Sequence, residues 1–300
     1  MEITNCEIHQ PVLLKEVLDI FDPQLGGRYI DATINGGGHA KEILDQIGKD
    51  GTLLGIDRDS TLIDLLKKKF ENRKNLIAVC DSYAHMDKIA ATHGFGAANG
   101  ILFDLGFSSY HVDKSGRGFS FLRNEPLDMR YDTEHTRLTA RTIVNMWPQA
   151  ELARIAKEYG QERFAGRIAA TIVKERSRKR IQTTFELVNV ICASIPKSLQ
   201  YGKIHPATRM FQALRIAVND ELGELITGLE KGIDLLMQGG KMVVISFHSL
   251  EDGAVKQLFR LKNKERIIEL ITKKPLAATR EEIRINPRSR SAKLRAIIKL

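Results

Sequence analysis

The chain has 300 residues, 43% hydrophobic, 28% charged and 6% aromatic, the balance of a soluble globular protein with room for one large domain or two smaller ones. Disorder and collagen-like repetition are excluded, no uninterrupted apolar run approaches the roughly 18 residues that span a bilayer, and Met1 to Gln10 lacks the basic-then-apolar order of a secretory signal, so a cytoplasmic protein is expected. The net charge of +9 resides in residues 260–300, with 13 basic and 4 acidic side chains, while Arg154 to Arg180 forms a second basic stretch with nine against three. Two such stretches suit a polyanionic partner such as nucleic acid, although a solvated helix face and a basic tail would read the same way.

Strands alternate with helices over the first hundred residues. Arg28 to Ala32 reads as a short strand, Gly36, Gly37 and Gly38 turn the chain, and Ala40 to Ile47 has helical apolar spacing. Gly51 to Asp57 repeats the pattern as a second strand, followed by a helix through Leu62, Leu65, Leu66 and Phe70. Leu76 to Cys80 and Gly100 to Asp104 make a third and a fourth strand, the last nearly all apolar as in a parallel sheet covered on both faces. From about His111 to Met210 no buried strand is predicted, and Ala150 to Tyr159, Phe164 to Lys174 and Thr184 to Ile195 read as amphipathic helices. A long helical stretch over Ala207 to Leu236, a turn and buried strand over Gly239 to Phe247, a helix and a last strand near Lys293 to Leu300 then resume the first pattern. The expected fold is α/β, a doubly wound sheet with an inserted all-helical subdomain.

The chemistry concentrates at predicted strand ends. Asp31-Ala-Thr-Ile-Asn-Gly-Gly-Gly-His39 joins a strand to a helix, and Asp57 closes the next strand. Glycines admit a ligand close to the backbone, a helix N-terminus offers free N–H groups, and an acidic residue at that distance suits a ribose diol. Lys41 stands where the dinucleotide fingerprint needs its third glycine, which argues against a nicotinamide cofactor. Asp104 is a third strand-end carboxylate. Together the three favour a cofactor with positive charge, such as S-adenosylmethionine, over a pyrophosphate. The plainer readings are a turn for the glycines and helix caps for Asp57 and Asp104. Tyr83 could lie against an adenine ring or simply pack. Cys6, Cys80 and Cys192 fit no metal spacing and are expected to be reduced, and no metal site is expected.

These segments resemble the ribosomal small subunit methyltransferase H family, bacterial enzymes that methylate N4 of a cytidine in small-subunit (16S) ribosomal RNA. The resemblance runs through His9 to Leu14, Gly36 to His39, Gly55 to Asp59, Asp104 to Ser109, Arg117 to Phe121, Pro126 to Arg130, His205 to Arg209, Phe211 to Arg215, Ser246 to Asp252 and Asn286 to Arg295, in the family's order. It implies a class I methyltransferase fold with S-adenosylmethionine held by Gly37, Gly38, His39, Asp57, Tyr83, Asp104 and His111. It also implies a discontinuous catalytic domain, 1–112 with 211–300, interrupted by a helical substrate-recognition insertion at 113–210. The family commonly has glutamine at His111, an aliphatic residue at Phe107, phenylalanine at Tyr83 and aspartate-glycine at Asn124-Glu125.

Cytosine's exocyclic amine is a poor nucleophile, so acceptors for its N–H protons and alignment with the methyl donor would carry the reaction. Asp104 and the backbone of Leu105 to Ser109 are expected to line that site, with Ser108 or a carbonyl as acceptor, Phe107 as a stacking face and His248 as a second group for handling a proton. Arg288, Arg290, Lys293 and Arg295, with Arg176 to Arg180, are expected to contact phosphates of the RNA, within the assembled small subunit. No membrane partner is expected, and the sequence leaves a homodimer open. An oxidoreductase would share the sheet and Asp57 but lacks the third glycine. A non-enzymatic RNA binder would have no use for Gly37, Gly38, Asp57 and Asp104 together.

Overall fold

The computed structural model describes residues 11–106, 108–202 and 204–300. Cys6, His9 and Phe107, named above, lie outside the described residues. The chain divides into two compact units, 1–106 with 222–300 and 107–221. The resemblance puts its divisions at 112/113 and 210/211, and the helix ending at Asn219 packs with the helices of the second unit.

The first unit opens with α1 (Leu14–Phe21) and continues through β1 (Arg28–Asp31), α2 (Gly38–Ile47), β2 (Thr52–Asp57), α3 (Ser60–Lys69), β3 (Leu76–Cys80), α4 (Met86–Thr92) and β4 (Ala98–Asp104). The second unit contains α5 (Ser109–Asp113), α6 (Ala140–Met146), α7 (Gln149–Glu158), α8 (Ala165–Arg176), α9 (Thr184–Ser194) and α10 (Thr208–Asn219). Then follow α11 (Glu221–Leu235), β5 (Leu236–Ser246), α12 (Ser249–Lys264), β6 (Ile268–Leu270), β7 (Leu276–Ala277), α13 (Arg280–Ile285) and β8 (Lys293–Lys299).

The sheet order is β3-β2-β1-β4-β5-β8-β6, with β7 also on β8. The β1 to β5 pairings are parallel and the β8 pairings antiparallel. Alternate side chains supply two cores. Ile30, Leu54, Ile56, Ile101, Phe103, Met242 and Val244 enter one with residues of α4, α11 and α12. Tyr29, Leu53, Leu102, Val243 and Ile245 enter the other with α1, α2 and α3. Each inner strand therefore buries both faces, which explains its unbroken apolar run. Strand order reverses between β1 and β4, and the crevice outside the carboxyl ends at such a reversal is where open α/β sheets take ligands.

In the second unit, α6 to α10 bury a separate core around Ile143, Leu152, Ile168, Leu187 and Leu214. Its irregular segment is tied down by polar contacts. Arg117 donates to the carbonyls of Arg130 and Tyr131, both at 3.0 Å, and Asn219 bonds the backbone of Met129 and Tyr131. Arg215 forks onto Glu221 at 2.8 and 2.9 Å in a buried pair.

One expectation changes. The long helix over 207–236 is broken at Asp220, whose φ of 47° closes α10 before α11 begins. The last strand expected near Lys293 to Leu300 is β8, which lies between β5 and β6 with Lys293 and Arg295 both paired to Asp252. The second basic stretch is also partly neutralised. Arg176 donates to the Val144 carbonyl, while Arg178 and Lys179 pair with Glu175 and Glu186. Cys80 and Cys192 are free thiols. Among the described residues no helix is long and apolar enough to cross a membrane.

Candidate active site

Four elements bring carboxylates to the β1/β4 reversal. Asp31 ends β1, Asp57 ends β2, Asp104 ends β4, and Glu251 lies in the first turn of α12 after β5. Thr33 ties two strand tips together, its Oγ1 accepting the Asp104 N–H at 2.6 Å, while its own N–H donates to Asp31 Oδ1 at 3.2 Å. Burial pushes the Asp31 carboxyl up to about 7, with the neighbouring Asp57 charge adding to the rise. Burial likewise holds Asp104 well above the ordinary carboxylate range, reinforced by the charges of Asp31 and Glu251.

Asp57 does not cap the next helix. Asp59 does so, accepting the Thr61 N–H. Asp57 instead accepts the N–H groups of Asn35 at 3.0 Å and Asp59 at 2.9 Å, fastening the glycine loop to the end of β2. Gly37 has φ +71° and a Cβ there would sit 2.6 Å from the Phe70 ring, so both conformation and space require glycine. A Cβ at Gly36 would meet nothing within 4 Å, which leaves the loop open on that side.

His39 is buried in the first turn of α2. Its Nε2 lies 3.0 Å from the Val12 carbonyl, an acceptor, so Nε2 carries a proton. Its Nδ1 faces Asp104 Oδ2 at 3.6 Å. The other oxygen of Asp104, Oδ1, is buried without a hydrogen-bond partner among the described residues. An orphaned carboxylate oxygen among like charges is costly by itself and fits a cationic ligand. The donor set therefore suits a group bearing a positive centre and a ribose.

The remaining sequence candidates are placed less directly. Tyr83 stands edge-on to Phe103 with ring centroids 5.5 Å apart and abuts Gly228 of α11, joining the hydrophobic core through at least one face. His248 caps α12: its Nδ1 accepts the Glu251 N–H, and Glu251 reaches back to the N–H groups of Phe247 and His248. Sequence reasoning singles out His248 and misses Glu251, although a side chain three residues before a glutamate at a helix start is the capping-box signal. Ser108 and His111 belong to the second unit, where they form the corresponding box on α5. His111 Nδ1 accepts the Ser108 N–H at 3.1 Å, and its ring packs 5.0 Å from both Phe119 and Tyr131. A glutamine there would accept the same N–H, so histidine preserves the cap.

A sequence profile of the MraW methylase family matches residues 7–300. The "Ribosomal RNA small subunit methyltransferase H" of Persephonella marina is 47% identical over 291 residues, covering 96% of this chain and 97% of the relative. That of Symbiobacterium thermophilum is 44% identical over 310 residues, covering 97% and 96%. A profile spanning nearly the whole chain and relatives at this identity leave one assignment: the chain belongs to the MraW methylase family.

Proposed function

We propose that this protein transfers a methyl group from S-adenosylmethionine to the exocyclic N4 of a cytidine in small-subunit ribosomal RNA, acting in the cytoplasm on RNA within the small subunit. The observation that carries the reading is the buried, unpartnered Oδ1 of Asp104 at the strand-order reversal, backed by Asp31 and Glu251. S-adenosylmethionine, held by Asp57, the Gly37 to His39 loop and Asp104, would supply an electrophilic methyl on a cationic sulfonium.

Asp57 accepts ribose hydroxyls, Gly37, Gly38 and His39 shape the loop, and Tyr83 bounds the purine side. Asp104, Asp31 and Glu251 set a negative potential in which a cation is favoured and the carboxylates ionise. His39, fixed by the Val12 carbonyl, sets its Nδ1 3.6 Å from Asp104 Oδ2. Cytosine N4 must lose one proton as it gains the methyl, and holding that amine against an oxygen acceptor raises its nucleophilicity. Asp104, with its raised proton affinity, is the acceptor on this reading. Ser108, His111 and His248 hold the helix starts that position the surrounding backbone. The unit 107–221 recognises the substrate, which presents its cytidine unstacked.

The test is transfer of labelled methyl to small ribosomal subunits from cells lacking the activity, alongside naked ribosomal RNA and duplex DNA. Label recovered as N4-methylcytidine from the particles is expected. Cofactor binding with label on no cytidine would overturn the assignment.

A further inference from the structure

The cations expected on phosphates include two, Lys293 and Arg295, that are tied to Asp252. Their pairing exposes a different arrangement. Between α12 and the β6 and β8 strands lies an open concavity whose lining includes Lys256, Arg260, Lys273 and Arg295, and none of the strand-end carboxylates. Lys256 and Arg260 are four residues apart on one face of α12, where like charges repel. These two and Lys273 are exposed and make no ion pair among the described residues. A bound anion would relieve that repulsion.

The back of the concavity is built more firmly. Arg295, only 10% exposed, donates Nε to Asp252 Oδ1 at 2.7 Å, while Lys293 holds the other Asp252 oxygen at 3.2 Å. One edge of the guanidinium is thereby fixed, and its terminal N–H groups make no other hydrogen bond among the described residues. Thr272 Oγ1 accepts the Ala296 N–H at 2.9 Å, which leaves its hydroxyl proton to donate. Phe259 and Leu270 supply apolar lining. Glu269, the nearest acid on β6, alternates with Leu270 and so faces the other side of the sheet. Charged donors with a fixed guanidinium suit a phosphate, and the apolar lining suits the sugar beside it.

We propose that this concavity seats a backbone phosphate of the RNA, away from the nucleotide that reacts. The proposal rests on the reading of ribosomal RNA as substrate.

The test compares the full-length Lys256→Gln/Arg260→Gln/Lys273→Gln protein with Lys49→Gln/Lys68→Gln/Lys74→Gln, which removes the same charge from exposed sites elsewhere. The probe is a single-stranded oligoribonucleotide titrated at several salt concentrations, with inorganic phosphate in a parallel arm. The concavity variant is expected to bind RNA about tenfold or more weakly, and its slope of log affinity against log salt should fall by about 0.7 for each phosphate that is no longer neutralised. The KM for RNA rises while kcat, cofactor affinity and the unfolding midpoint stay at wild-type values. Equal effects from both triples, or none from the first, would overturn the site. So would saturable phosphate binding that disappears in the first triple with RNA affinity intact, which marks a free-anion site. A wild-type protein that binds RNA with this dependence yet leaves no label on cytidine N4 would sink the reaction and retain the site.

Discussion

Asp104 combines two properties that rarely persist without a ligand: an oxygen with no hydrogen-bond partner among the described residues and neighbours of its own sign. Replacing it by alanine is expected to lower methyl transfer at saturating cofactor by about 10²-fold or more, the scale of losing a preorganised electrostatic contact. Full turnover would remove Asp104 from the reacting centre. Asp31 gives a separate test. Its folded pKa of about 7 exceeds the ordinary 3.8, so the folded state binds the extra proton between those values. Its contribution to stability is complete below about pH 4 and is lost as pH rises through 7. Asp31→Asn keeps an acceptor for the Thr33 N–H and removes that loss. Chemical denaturation should find the variant more stable at pH 8 by on the order of 2–4 kcal/mol and equal to wild type near pH 4. A difference independent of pH would contradict the raised pKa. The strand-end aspartates were legible in the sequence because each closes an apolar run. The raised pKa of Asp31 was not, since it depends on how deeply the folded sheet buries that strand tip.

At the scale of elements, three helices among the described residues begin with paired caps: Ser108 with His111, Thr183 with Glu186 and His248 with Glu251. The His248 box predicts a separation of roles. His248→Ala should destabilise the fold by about 1 kcal/mol, and His248→Asn, which can still cap, should restore both stability and turnover. A folded, stable His248→Asn protein without turnover would instead make His248 a proton-transfer group. The long strands and helices were readable from periodicity, and β3 begins and ends where its apolar run does. α6 was missed because seven residues make scarcely two turns. β6 and β7, with three and two residues, have no period to read and exist only by pairing with β8. The break at Asp220 was hidden because apolar spacing continues from α10 into α11, and a single left-handed residue leaves that spacing nearly intact.

For the whole molecule, the +9 charge predicts that RNA binding weakens by tenfold or more between about 50 and 200 mM salt, which fluorescence titration would measure. Affinity unchanged over that range would exclude phosphate contacts as its basis. By itself the sequence determined the βαβ order, the interruption by helices and the carboxylates at the strand ends, because each is written locally in periodicity, turn residues or the last polar position of an apolar run. Only the tertiary structure decided which charges are free. Asp252 is distant in sequence from Lys293 and Arg295 yet pairs with both, while Lys256, Arg260 and Lys273 converge from a helix and a loop. Charge counted along a chain is a sum, whereas the field at a site depends on distances that folding sets.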